Sequence, residues 1–517
     1  MTLLNTFKMK TSNSENSNNS ETSSESNQPE VIESVGYAPS FEDISEEEKK
    51  LDVIVSKQGP PQPVEEVDKD INGGYSWVIL ACTFTLSACS WGNNSGFAVY
   101  FAFYSTHNLY EGATAVDFAA IGGITFGLGI SCAPIINYIT GKITPKGSII
   151  IGNICQFLAL FITSFDSHQK LWQLYLTQGV LQSFGLAFLG LPSFTILPQW
   201  FANRGSKDHF RLKDRMLTFS QGVVAGGSGA GGILFNLGMQ KVLQTHGIRW
   251  ALRVQSFISL FLVTMAIIFL RQKKNKNAKI EFTIFDSHVF FFPGFWGLCL
   301  FFGLSMFGYV VTLYSLADWT ISLGYSAYQG SIVAAMVSLG IIIGRPIVGV
   351  LADKYGAITI STVSYLASGI LILAMWIPAR NYATAIVLAI LNGILSGAVF
   401  VCIASTAITV TGFRMNKFNV TFCMSSMCLG AFAIVSPIIG ISLKKNIISP
   451  TQYVYCAVFV GASYFALFIV LAVLRGFMIS IKEIETPGLT DVEYFRLRPK
   501  ISRVIRNSLR IKTEYWI

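Results

Sequence analysis

Arg345 is the residue whose setting most demands a chemical explanation. It is a full cation inside an apolar run spanning roughly 327–352. Placing an arginine at the centre of a bilayer costs about 2.5 to 3.5 kcal/mol on insertion scales. Its side chain is therefore expected to face a partner or a wet cavity. Two roles fit. It is a counter-ion for an anionic substrate group or for a proton-exchanging carboxylate, or it is a structural cation bonded to helix carbonyls or to the turn at Asp353.

The other candidates are mostly neutral. Asn93, Asn94 and Ser95 lie in Trp91-Gly92-Asn93-Asn94-Ser95-Gly96, near the middle of the first apolar run. They either supply hydrogen bonds to a cavity from the opposite side to Arg345 or hold helices together, as polar membrane residues often do. Gln178 and Gln182 are four apart and share a helix face; Asn392 ranks with them. Tyr309 and Tyr314 suit stacking on a ring or donating to a carboxylate, although tyrosine is also common at membrane interfaces. Asp318 is expected just after the seventh run, as a substrate contact or a loop-edge acid. Asp353 and Lys354, with Gly349 and Gly356, end the Arg345 run in a charged turn that suits a latch between two helices. Gly141 and Lys142 close an earlier run in a matching way.

Some chemistry is excluded. There is no P-loop and no H-E-x-x-H. The five histidines (His107, His168, His209, His246 and His288) all lie away from the middle of an apolar run. An enzyme, a cofactor and a metal site are not expected, and the energy source should be a gradient. The nine cysteines fall in apolar runs without a CxxC pair, so they read as small buried hydrophobes.

These residues must be positioned by membrane helices. The 517-residue chain is 52% hydrophobic and 13% charged, against about 25% charged in soluble proteins. Twelve runs are long enough to span a bilayer: 75–103, 117–139, 147–166, 171–198, 217–240, 250–270, 288–316, 327–352, 357–378, 383–411, 418–442 and 453–476. The expected organisation is an acidic disordered tail (1–74), a six-helix half (75–270), a basic linker (271–287), a second six-helix half (288–476) and a basic tail (477–517). The first 74 residues carry a net −9 and the remainder +18. The basic excess lies in short loops and the last segment, so topology explains it better than nucleic-acid binding. With the N-terminus inside, the inner loops hold fifteen Lys/Arg and the outer loops seven. Both termini are then cytoplasmic. No cleaved signal peptide is expected, because the first residues lack a basic region followed by an apolar core. Near the end, Ile501, Val504, Ile505, Ser508 and Leu509 make an apolar stripe flanked by Arg503, Arg506 and Arg510. It suits either the anionic inner leaflet or solvent.

Two half-length repeats are a common build for secondary transporters. A trace of one exists: Pro134-Ile135-Ile136-x4-Gly141-Lys142 matches Pro346-Ile347-Val348-x4-Asp353-Lys354. The fifth run carries rows of small residues, Gly222/Gly226/Ala230 and Gly227/Gly231. They suit either sliding or static close packing.

The motifs resemble a known family. Asp70-x-x-Gly73-Gly74-Tyr75-Ser76-Trp77 is similar to the first-helix signature of the monocarboxylate transporter family, with Asn72 where an acid is expected. Gln199-Trp200-Phe201-x-x-Arg204, Gln221-Gly222 and Gly227-Ser228-Gly229-x-Gly231-Gly232 resemble its next motif, with 205–214 as an insertion and Arg215 as a further basic residue. Arg345-Pro346-x-x-Gly349 resembles its eighth-helix arginine motif. Asp117-Phe118-Ala119-x-Ile121-Gly122-Gly123 looks like the fungal branch. The resemblance covers about 70–490. It implies an all-α membrane protein of the major facilitator fold, with a central cavity between two six-helix halves. It departs at two points: Ser95 stands at the place of a first-helix lysine, and Ile341 at the place of an aspartate four residues before the arginine. Both belong to proton-coupled lactate carriage, which is therefore in doubt here. Fungal members include a riboflavin permease. The expected function is transport of a small organic anion or neutral metabolite by alternating access. Riboflavin uptake is one alternative, and a non-transporting membrane solute sensor is another. The plasma membrane is the expected location, with the vacuolar membrane as the alternative.

Overall fold

The computed structural model describes residues 73–107, 109–110, 112–165, 170–201, 216–271, 283–445, 451–486 and 489–510. The acidic tail through residue 72, the stretch 202–215 with Arg204 and Arg215, the linker residues 272–282 and the end from 511 lie outside them. Among the described residues there are helices and no strands.

The first half contains six helices. α1 is built from four consecutive pieces: Ser76–Ser87, a π-turn Ala88–Gly92, Asn93–Ser95 and Phe97–His107. α2 joins Ala115–Ser131 to Ala133–Ile143 with a bend of 55°, where Pro134 interrupts the hydrogen-bond ladder. α3 is Pro145–Thr163. α4 spans Leu171–Phe194, α5 Leu217–His246 and α6 Ile248–Phe269.

The second half mirrors this count. α7 is Pro293–Ser322, α8 Ala327–Tyr355, α9 Ala357–Trp376, α10 Tyr382–Val410, α11 Met415–Ser442 and α12 Val454–Ile484. Among the described residues, ten helices are individually long and apolar enough to cross a bilayer, and the bent α2 makes an eleventh. α1 is the twelfth: its π-turn and Gly96 divide it into pieces of at most 12 residues, which follow one another without a loop. An even count brings the start of α1 and the end of α12 to one membrane face, here termed the terminal face. Two short helices follow, α13 (Asp491–Arg496) and α14 (Ile501–Ser508).

Two boundaries differ from the sequence reading. α7 runs past 316 to Ser322, because Trp319 is buried against Trp376 with ring centroids 6.0 Å apart. Asp318 therefore lies inside a helix rather than after one. α8 continues to Tyr355 and stops at Gly356, whose φ of +93° is a glycine conformation. Arg345 is thus about 15 Å from the helix end, deeper than the apolar run suggested.

Glycines set how closely the helices meet. A Cβ on Gly222 would lie 2.4 Å from the Arg345 carbonyl oxygen, and one on Gly229 would lie 2.5 Å from that of Ser338. Both contacts join α5 to α8 across the halves. On the other side of α5, a Cβ on Gly231 would lie 2.1 Å from the Ala88 carbonyl oxygen of α1. The two small-residue rows therefore serve different neighbours. α2 and α11 make the second cross-half contact, where a Cβ on Gly127 would meet the Gly430 oxygen at 2.2 Å.

Gly222→Ala should cost about 1 to 3 kcal/mol of packing and lower the apparent Tm of the purified protein. Gly238→Ala, with nothing within 4 Å of the added methyl, should leave it unchanged. Equal Tm values for the two variants would contradict the close α5–α8 contact.

Candidate functional site

Arg345 is 2% exposed. Its Nη1 donates to the Ala225 carbonyl oxygen at 2.6 Å and to Ser228 Oγ at 2.5 Å, both on α5. Its Nη2 donates to Tyr309 Oη of α7 at 3.4 Å. The guanidinium lies 4.7 Å from the Phe400 ring centroid, and Nε has no acceptor. All its partners are neutral oxygens. Among the described residues no carboxylate pairs with it.

α10 is shaped around this charge. Its helix breaks between Ser396 and Ala398, and a Cβ on the intervening Gly397 would sit 2.8 Å from Arg345 Nε. Any other residue there would collide with the guanidinium.

Four aromatic rings adjoin it in a closed circuit. Centroid distances are 5.3 Å for Trp91–Phe126, 6.5 Å for Phe126–Tyr309, 5.1 Å for Tyr309–Phe400 and 5.4 Å for Phe400–Trp91. Trp91 and Phe126 come from the first half, and Tyr309 and Phe400 from the second. Trp91 sits in the α1 π-turn, a distortion that recurs at functional sites. Rings and guanidinium together line a narrow space with room for about one water molecule. Once widened by movement of the halves, it would present the cation to an anionic group and ring faces to a flat or apolar body.

A second narrow space, with room for about one water molecule, lies toward the other membrane face between α1, α2, α7 and α11. Tyr314 and Asp318 line it. The Tyr314 hydroxyl has no partner. The Asp318 carboxylate binds Lys444 and accepts from the Tyr453 hydroxyl. This places α7's end against the α11–α12 connection, within one half.

The amides and the serine expected to contact substrate, with Asn93, Asn94 and Ser95 opposite Arg345, lie outside both spaces: Asn93, Asn94, Ser95, Gln178, Gln182 and Asn392 line neither. The Asn93 side-chain oxygen accepts from Gln255 Nε2 of α6, and Gln255 Oε1 accepts from the Tyr100 hydroxyl. Helix-to-helix bonding inside the first half thus takes Asn93 away from the cation. Ser95 Oγ donates back to the Trp91 carbonyl oxygen at 3.2 Å. Gln178 Oε1 accepts from the Tyr104 hydroxyl at 3.3 Å. Asn94 and Asn392 are 1% exposed, and neither amide has a hydrogen-bond partner; Gln182 Oε1 also lacks one. The opposite half does reach Arg345, but through Ala225 and Ser228.

At the terminal face, Asp353 is 3% exposed. Its carboxylate accepts from the backbone N–H groups of Thr218 at 3.2 Å and Phe219 at 2.7 Å. These are orphan donors of α5's first turn, for which the Met216 N-cap supplies no side chain. An acid from one half therefore caps a helix of the other, in reach of its positive dipole end. Gly349 allows the approach: a Cβ there would meet the Thr218 oxygen at 2.7 Å. Lys354 lies 5.1 Å over the Tyr355 ring and takes no part in the cap. Gly141 occupies the matching place in α2, so that end has no carboxylate, and Lys142 lies 5.5 Å over Tyr138.

Sequence reasoning singled out Arg345 and Tyr309 but passed over Ser228, Phe126 and Phe400. Ser228 sits in the glycine-rich motif. The two phenylalanines carry no signal in a chain with 40 of them.

The comparisons agree with this geometry. The family model of the Major Facilitator Superfamily matches residues 80–435. The chain is 39% identical over 447 residues to the "Probable transporter MCH2" of Saccharomyces cerevisiae, covering 85% of this chain and 91% of that protein. It is 29% identical over 431 residues to the "Uncharacterized transporter ESBP6" of the same organism, covering 81% of this chain and 62% of that protein. It is 24% identical over 449 residues to the "Agnestins efflux protein AgnL12" of Paecilomyces divaricatus, covering 83% and 96%. With its membrane helices in two halves around a buried cation, the chain belongs to the Major Facilitator Superfamily and is a multi-pass membrane transporter, not an enzyme.

Proposed function

We propose that the chain moves a small organic anion, of the monocarboxylate type, by alternating access, with Arg345 as the substrate's counter-ion. The observation that carries this reading is the charge balance. Among the described residues, a guanidinium 2% exposed has neutral partners only, and a buried charge without its opposite is a costly arrangement. A carboxylate admitted as the halves part would supply the missing charge and a bidentate acceptor. The aromatic circuit receives the rest of the molecule. Its rings come from both halves, so separating the halves on either face would part Trp91 and Phe126 from Tyr309 and Phe400 and release the substrate.

Asp353 serves as the latch at the terminal face, which is the cytoplasmic one on the loop-charge argument. Its two bonds to α5 must break whenever that face opens. The plasma membrane is the location that suits an uptake role.

A second reading, a facilitator for a neutral ring-shaped vitamin such as riboflavin, is favoured by one feature. Parting the halves would expose four ring faces, which suit a planar heterocycle better than a two- or three-carbon acid. Ser95 and Ile341, in place of the lysine and aspartate of proton-coupled relatives, fit this reading too.

Uptake by cells lacking their own related carriers separates the two. The panel is radiolabelled lactate, pyruvate, acetate and riboflavin, with and without a protonophore. Carboxylate uptake is expected, falling at least about tenfold in Arg345→Ala, the scale of a lost charged hydrogen bond. Gly397→Ala should fall with it, because the added methyl displaces the guanidinium. Uptake of riboflavin alone, or wild-type carboxylate uptake by Arg345→Ala, would overturn the anion reading.

Asp353→Asn keeps the shape but removes the charge from the α5 cap. A cysteine placed at Ser405, whose hydroxyl lies 2.8 Å from that of Thr218, should then react faster with a membrane-impermeant thiol reagent from the terminal face. Unchanged labelling would mean that Asp353 does not hold that face shut.

A further inference from the structure

We infer that α14 is an interfacial helix that seats the end of the bundle on the anionic lipid leaflet at the terminal face. The inference rests on the fold and is independent of the substrate.

α14 divides into three sectors. At about 100° per residue, Val504 and Asn507 point one way. Val504 is 9% exposed and Asn507 is fully buried. Asn507 Nδ2 donates to Ser480 Oγ at 3.0 Å and to Glu483 at 3.1 Å, both on α12. Gly476 of α12 allows the contact: a Cβ there would lie 2.5 Å from the Val504 carbonyl oxygen. Arg475 Nη1 closes the docked end by donating to the Arg510 carbonyl oxygen at 2.7 Å. This sector is the protein-facing one.

The second sector is apolar and uncovered. Ile501, Ile505 and Leu509 fall within about 80° of arc and are 77%, 56% and 78% exposed. Three large aliphatic side chains left this open on an otherwise docked helix need a cover. The third sector is basic. Arg503, Arg506 and Arg510 lie within about 60° of arc. Only Arg510 finds an acid, Glu483 at 3.3 Å; among the described residues Arg503 and Arg506 have no ion-pair partner.

Lipid satisfies both open sectors at once, with acyl chains against the aliphatic one and phosphate headgroups against the arginines. The surroundings agree. Arg498, just before α14, donates from Nη2 to the Phe291 carbonyl oxygen at 2.8 Å. Phe291 is 71% exposed, and Trp296 beside it is half exposed, as in the aromatic belt of a membrane interface. The helix is thereby fixed at the level where the leaflet begins. A polar solvated tail would leave the aliphatic sector in water, and a protein partner would have to fit between that sector and the lipid beside α12.

The test uses the full chain with a photo-crosslinking benzophenone side chain at position 505 or, separately, at 502. The protein is reconstituted in vesicles of phosphatidylcholine alone or with phosphatidylserine, irradiated, and read by intact mass. Position 505 should gain a phospholipid, and position 502, at the polar edge, should gain far less. Phosphatidylserine should be captured in preference to phosphatidylcholine, and the preference should fall about fivefold for each of Arg503→Ala and Arg506→Ala. Equal capture at 502 and 505, capture of protein instead of lipid, or indifference to lipid charge would overturn the inference. Because both arginines are surface residues, loss of folding is not expected to blur the result; an unchanged Tm of each variant checks this.

Discussion

The constraint on which the rest of this molecule turns is the burial of Arg345 without an opposite charge. A guanidinium in a medium of low effective dielectric has a large self-energy, and neutral oxygens offset only part of it. The chain accommodates the cost locally. α5 offers the Ala225 carbonyl and the Ser228 hydroxyl, α7 the Tyr309 hydroxyl, and α10 breaks at Gly397 to make room. The bonds to α5 run between the halves. The charge is therefore also a tether, one that an anion arriving in the cavity would compete with. On the proposed reading, this competition couples substrate occupancy to the movement of one half against the other.

Close backbone contact provides the surface for that movement. Gly222 and Gly229 bring α5 onto α8, and Gly127 brings α2 onto α11. Such contacts gain dispersion energy over a long line yet contain few interlocking side chains, so the two faces can separate without unpicking a core. At the terminal face the contact has a polar clasp, Asp353 on α5's first turn. The matching α2 end has Gly141 instead. Among the described residues the two cross-half seams are thus unequal: a carboxylate clasps the α5 end, and no matching carboxylate stands at the α2 end.

How much of this was legible in the chain depends on the kind of signal. Long apolar runs announced the helices, because burying a span in lipid demands composition rather than detail. Arg345, Asp353 and the small-residue rows stood out for the same reason: each is expensive or unusual in such a run. Directions were another matter. Asn93 and Asn94 are adjacent and chemically alike, and nothing local says that Gln255, 162 residues away, will claim one of them. Phe400 and Phe126 look like any core phenylalanine until the fold sets them beside Trp91 and Tyr309. The end of α7 lies beyond its apolar run, because Trp376 of α9 buries Trp319 and keeps the helix going. Local chemistry thus identified costly residues, and only the tertiary arrangement decided which of them meet.

The most direct measurement of the central claim is binding, to the purified protein, of the transported carboxylate and of its uncharged amide analogue. The two differ in charge and hardly in shape. If Arg345 is the counter-ion, the acid binds at least about tenfold tighter than the amide, and the difference disappears in Arg345→Gln. Equal affinity for acid and amide, or a charge preference that survives the loss of Arg345, would contradict the account and return the arginine to a purely structural role.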